Sequence, residues 1–138
     1  MPIQPTQHHD PTRSLRLALR ANAAFSTTSA LLFVLDRTAL APVLGVPAAL
    51  LVTLGVGLAA FAAMLIATSL RSDPVRLVAE ARVHCAADLA WVAGSIPVVA
   101  VGWLTPAGSI GLAGVSAVVL ALAIAQWRGI GRTTLQRA

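Results

Sequence analysis

Four apolar runs divide this chain, separated by short clusters of arginine, aspartate and proline. The second is the cleanest, since residues 48–70 hold 23 positions without a charge. At about 1.5 Å per residue, a helix of that length crosses a hydrocarbon core of about 30 Å with slack for tilt. The first run, 17–35, is interrupted by Arg20 and Asn22 and closed by Asp36 and Arg37. The third starts amphipathically with Arg76, Glu80 and Arg82, then continues apolar to about residue 104. Pro97 lies within it, and a proline in a helix interior predicts a kink. The fourth runs over 109–126 and is followed by Trp127, an expected interface anchor. The pattern predicts an all-α integral membrane protein, a bundle of four transmembrane helices at 17–35, 48–70, 76–104 and 109–126 within one domain, 15–128.

The remaining segments read as flanks and turns. Residues 1–14 are polar and carry Pro2, Pro5 and Pro11, which predicts a disordered tail. His8 and His9 are adjacent there and would point to different sides of a helix, a poor arrangement for a metal. Residues 129–138 read as a basic tail. The connection 38–47 is itself apolar and is expected to lie along the outer interface, with Pro42 and Pro47 limiting any helix in it. Arg71, Ser72, Asp73 and Pro74 make a tight turn in which Ser72 or Asp73 can cap the following helix.

Composition removes several classes of function. The 138 residues are 57% hydrophobic and only 11% charged, too little charge to cover a soluble domain. A net charge of +5 would ordinarily suggest nucleic acid, but the ten basic residues, all arginine, sit at the ends of apolar runs. That is the placement the positive-inside rule describes. Nine of the ten fall on one side in a four-span topology, with Arg37 the exception. Both termini are therefore expected in the cytoplasm, with the bundle in a bacterial inner membrane. Cys85 is the only cysteine, which excludes an internal disulfide, a CxxC redox pair and a cysteine zinc site.

Two helices carry small residues at every fourth position. In the second span these are Gly55, Ala59, Ala63 and Ala67; in the fourth, Ser109, Ala113, Ala117, Ala121 and Ala125. Such faces let helix backbones approach closely, so they are expected to pack within the bundle or across a subunit boundary. The other two helices carry polar stripes of matching period. Asn22, Ser26, Ser29 and Phe33 share one face of the first span, and His84, Asp88, Trp91 and Ser95 share one face of the third. Polar side chains avoid lipid, so both stripes are expected to face inward or toward a partner.

Asp88 is the residue most apt to carry chemistry. An ionisable group inside a span costs about 2.5–3.5 kcal/mol at the bilayer centre by insertion scales, and so has a role or a partner. His84 lies one turn away on the same face, close enough to hydrogen-bond it directly. Asn22, Thr68, Ser69, His84, Asp88 and Gln126 fall at one level near the cytoplasmic end, flanked by Arg20 and Arg128. The expected arrangement is a polar layer with Asp88 at its centre and Arg20 as its counter-charge, serving as a site for a proton, an ion or a lipid headgroup. The same layer would equally serve as a satisfied network that fixes helix register. No catalytic set or metal site is evident, and no cofactor is expected. Haem held by His84 across a symmetric dimer is the one cofactor the pattern leaves open.

Two functions fit. One is a small non-enzymatic accessory or scaffolding subunit, docking on other membrane proteins through its small-residue helix faces. The other is a homo-oligomeric transporter or channel using the polar site around Asp88 and His84. The expected surroundings are the lipid bilayer and other membrane subunits or further copies of the chain, not nucleic acid.

Overall fold

The computed structural model describes residues 12–135. It is all-helical over these residues, with five helices: α1 (Arg13–Leu35), α2 (Arg37–Leu44), α3 (Ala48–Ser69), α4 (Pro74–Val101) and α5 (Pro106–Leu135). Four of them, α1, α3, α4 and α5, are long and apolar enough to cross a membrane. Residues 1–11 and 136–138, with most of the expected N-terminal tail, His8, His9 and Arg137, lie outside the described residues.

The helix boundaries follow local chemistry. Asp73 caps α4, its side chain accepting the Val75 amide at 2.9 Å, and Pro74 takes the first helical position. Thr105 does the same for α5, its hydroxyl accepting the Gly108 amide at 3.0 Å. α2 ends at Gly45 in the left-handed conformation (φ 76°), the usual way a helix stops on glycine.

Three boundaries depart from the hydropathy pattern. The segment read as an apolar connection contains the helix α2, with Pro42 inside it. That short helix is held from outside itself: Thr105, 62 positions along the chain, donates its amide to the Leu44 carbonyl and its hydroxyl to the Val43 carbonyl. α1 begins at Arg13 rather than residue 17. α5 runs to Leu135, so residues 129–135, expected as tail, are helical. Packing explains both extensions, because Gly129, Ile130 and Thr133 of α5 are buried and the missing side chain of Gly129 lets the backbone of Leu15 approach it closely.

α1 packs most extensively on α3, and α4 on α5; α1 also packs on α5, joining the two pairs, while α3 and α4 touch only sparsely. The apolar core is not spread evenly. Leu15, Leu19 and Ala23 of α1 meet Ala62 and Leu65 of α3, Leu77, Val78 and Ala81 of α4, and Ile130 of α5. All of these lie at the end of the bundle where α1 and α4 start and α3 and α5 finish, which is also the arginine-bearing end. Arg16 braces that end, its guanidinium donating to the carbonyls of Ser69, the last residue of α3, and of Arg71 just past it, and to the Thr12 hydroxyl. A cation at a helix C-terminus satisfies carbonyls that have no partner within the helix.

Candidate functional site

Above the core lies a polar layer centred on Asp88. Asn22 of α1 donates its side-chain amide to Asp88 Oδ2 at 2.7 Å, and Gln126 of α5 donates to the same oxygen at 2.8 Å. The three are 1%, 4% and 0% exposed for Asn22, Asp88 and Gln126 respectively. Three helices thus converge on one carboxyl oxygen, while no described residue bonds Oδ1. Two donors on Oδ2 suit a carboxylate, and they equally suit the acid with its proton on Oδ1. Gln126 Oε1 and Trp91 Nε1 are buried and have no hydrogen-bond partner among the described residues.

Arg20 is not the counter-charge. It is exposed, and the ion pairs among the described residues are Arg71 with Glu80 and Arg76 with Asp73. Neutral amides take the place expected for the arginine. His84 is not bonded to Asp88 either. Its Nε2 lies 3.0 Å from the Thr68 hydroxyl, which also lies 2.9 Å from Glu80 Oε2. A hydroxyl has one proton and a carboxylate can only accept, so Thr68 donates to Glu80 and receives the Nε2 proton of His84. Arg71 Nε closes the chain on Glu80 at 3.1 Å, and the ring of Phe61 stands edge-on to the imidazole at 5.5 Å. Ligation of haem through Nε2 would break this chain. No three His, Cys, Asp or Glu side chains among the described residues are grouped to hold a metal ion.

A cavity of about 280 Å³ opens from the polar layer into the more loosely packed half of the bundle. Asp88 and Asn22 line it together with Phe25, Phe33, Phe61 and Trp91. Ser26 and Ser29 line it as well, so the α1 stripe and Asp88 and Trp91 of the α4 stripe face a common space. Ser95, the last member of the α4 stripe, pairs with Ser116 of α5 at 2.8 Å.

The small-residue faces have a different fate. Gly55 is buried under Ala30 and Val34 of α1. Ala59, Ala63 and Ala67 of α3, and Ala113, Ala117, Ala121 and Ala125 of α5, are exposed on the outside of the bundle. Packing within the bundle therefore uses Gly55 alone of this set.

Sequence reasoning passed over Phe25, Phe61 and Glu80 as members of the site, while Thr68, expected in the polar layer, lies in the His84–Glu80 chain. One signal was available: Glu80, His84 and Asp88 recur at intervals of four and so share a helix face. No protein family, curated protein or solved structure matches this chain. The geometry of the cavity and its carboxyl group is what bears on function.

Proposed function

We propose that this chain is a non-enzymatic protein of the cytoplasmic membrane, a small carrier or channel subunit that moves a proton or cation through the site at Asp88. The observation that carries the reading is a buried carboxyl group with one oxygen bonded by two amides and the other bonded by no described residue, lining a cavity between apolar helices. A carboxyl group held only to fix helix register would be expected to use both oxygens. The Thr68, Glu80 and His84 chain lies beside it at the arginine-bearing end, which the positive-inside rule assigns to the cytoplasm together with both termini. Four spans are few for a complete pathway, so two or more copies are expected to surround it. Purified protein in liposomes with an entrapped pH dye tests the reading. The wild-type chain should dissipate an imposed pH gradient, and Asp88→Asn should lose this while keeping its helix content. Equal leak through both proteins would overturn it.

A second reading is supported by the exposed alanine faces of α3 and α5, which no described residue covers. On that reading the protein is an accessory subunit held in a larger membrane assembly by close helix approach. Native mass spectrometry from mild detergent separates the two: a stoichiometric larger complex favours the accessory role, and a homo-oligomer favours transport.

A further inference from the structure

We propose that the cavity receives a small organic cation with an aromatic or aliphatic body, which enters sideways between α3 and α4 and sets its charge against Oδ1 of Asp88. This rests on the reading of Asp88 as the polar centre of the site and goes further by naming the class of ligand.

The lining argues for a cation first by its aromatic content. The chain has three phenylalanines, three tryptophans and no tyrosine. All three phenylalanines and Trp91 line this one cavity, whereas Trp103 and Trp127 are 72% and 64% exposed. The apolar cluster at the other end is built mainly from leucine and alanine, with Phe61 at its edge. Aromatic side chains are thus concentrated along the cavity that holds the carboxyl group instead of being spread through the core. Aromatic faces carry the negative part of a quadrupole and attract positive charge, most strongly where water is excluded.

Competing occupants fit less well. The lining contains no arginine or histidine, so an anion would meet Asp88 without a positive partner. A metal ion would want several oxygen or nitrogen ligands, and the described residues group no such set. A lipid tail would leave Oδ1 buried beside hydrocarbon with nothing to bond. A compact organic cation satisfies the carboxylate and covers the rings at once. The volume, about 280 Å³, lies just below the range of roughly 300–1,000 Å³ typical of drug-sized ligands, so the body must be small.

The route follows from which lining residues are exposed. They are Thr53 and Gly57 on α3 and Ala87 on α4. These two helices touch only sparsely, so the mouth lies between them, on the flank of the bundle rather than at its end. A Cβ added at Gly57 meets no atom within 4 Å, so a larger side chain there can obstruct the mouth without disturbing the packing.

Isothermal titration of the purified full chain in mild detergent tests this, using benzyltrimethylammonium and its neutral isostere neopentylbenzene. The cation should bind once per chain, and about tenfold or more weaker to Asp88→Asn, as expected for the loss of one buried charge contact. Gly57→Leu should also weaken or slow binding while helix content is unchanged. Neopentylbenzene should bind wild type and Asp88→Asn alike, and more weakly than the cation binds wild type. Cation affinity indifferent to Asp88→Asn, or a neutral isostere that binds wild type as well as the cation does, would overturn the proposal. If Asp88→Asn fails to fold, Gly57→Leu and the comparison of the two ligands on wild type still decide it. Binding without any liposome flux would sink the carrier reading and leave the ligand class standing; Asp88-dependent flux without cation binding would do the reverse.

Discussion

Asn22 donates to Asp88 across 2.7 Å, linking α1 to α4 through two side chains 66 positions apart that are both almost wholly buried. With Gln126 on the same oxygen, this bond joins the α1–α3 pair to the α4–α5 pair. The two side chains should therefore be energetically coupled. In a double-mutant cycle of Asn22→Ala and Asp88→Ala, reversible unfolding in mixed micelles should give a coupling energy of roughly 0.5–2 kcal/mol, the range seen for buried polar pairs in membrane proteins. Strictly additive losses would show that the contact does not hold the pairs together.

Gln126 should tolerate an apolar replacement better than Asn22 does. Both give one bond to Asp88, but Gln126 carries a buried Oε1 with no partner. Replacing it removes an unsatisfied acceptor, worth about 1–3 kcal/mol of desolvation, along with the bond that is lost. Gln126→Leu is expected within about 1 kcal/mol of wild type by this balance, and Asn22→Leu to be clearly less stable. Thermal unfolding of the two variants side by side checks the order; a more damaging Gln126→Leu would contradict it.

Arg16 and Arg20 sit one turn apart and should respond very differently to truncation. Arg16 donates to the carbonyls of Ser69 and Arg71 at and just past the end of α3, whereas Arg20 is exposed. Arg16→Ala should destabilise by about 1–2 kcal/mol, as expected for a charged group satisfying helix-terminal carbonyls. Arg16→Lys should recover part of this, since a single ammonium lacks the planar fork that reaches both carbonyls. Arg20→Ala should stay within about 0.5 kcal/mol, the usual scale for surface substitutions. Unfolding midpoints of the three variants measure it, and an Arg20→Ala loss equal to that of Arg16→Ala would refute the assignment.

The spans were legible because lipid leaves a helix few options: long apolar runs ended by arginine and proline can be read without knowing any contact. The polar stripes were legible for a related reason, since Asn22, Ser26, His84 and Asp88 had to be turned away from hydrocarbon, and all four are buried. Direction around the helix axis was where the reading went astray. Arg20 stands at the right level for Asp88, but two residues before Asn22 it lies about 200° away around the helix, and it cannot share that face. The small-residue stripe of α3 shows a finer version of the same point. A spacing of four drifts by about 40° at each step, so Gly55 faces α1 while Ala67, three steps on, faces outward. α2 could not be read from its own eight residues, because its support comes from Thr105 far along the chain. The cavity belongs to the way the helix pairs splay, and no single stretch of sequence records that.

A close approach of α5 to α1 rests on one hydrogen atom. A Cβ added at Gly129 would come within 2.8 Å of Leu15 Cα, a backbone atom that cannot swing aside, while one added at Gly131 meets nothing within 4 Å. Both glycines lie in α5. In a helix interior alanine is favoured over glycine by about 1 kcal/mol, so propensity alone predicts a similar gain at both positions. Packing reverses the sign at one of them. Gly129→Ala must move α5 away from α1, opening the core around Leu15 and Ile130, and should lose about 1–3 kcal/mol as overpacked sites do. Gly131→Ala should be neutral or gain up to about 1 kcal/mol. Unfolding of both variants in the same micelles tests the pair, and a stabilised Gly129→Ala would mean that α1 and α5 do not meet there. Because Asn22 and Gln126 lie one to two turns from this contact on the same two helices, Gly129→Ala should also weaken ligand binding at Asp88, which Gly131→Ala should leave unchanged.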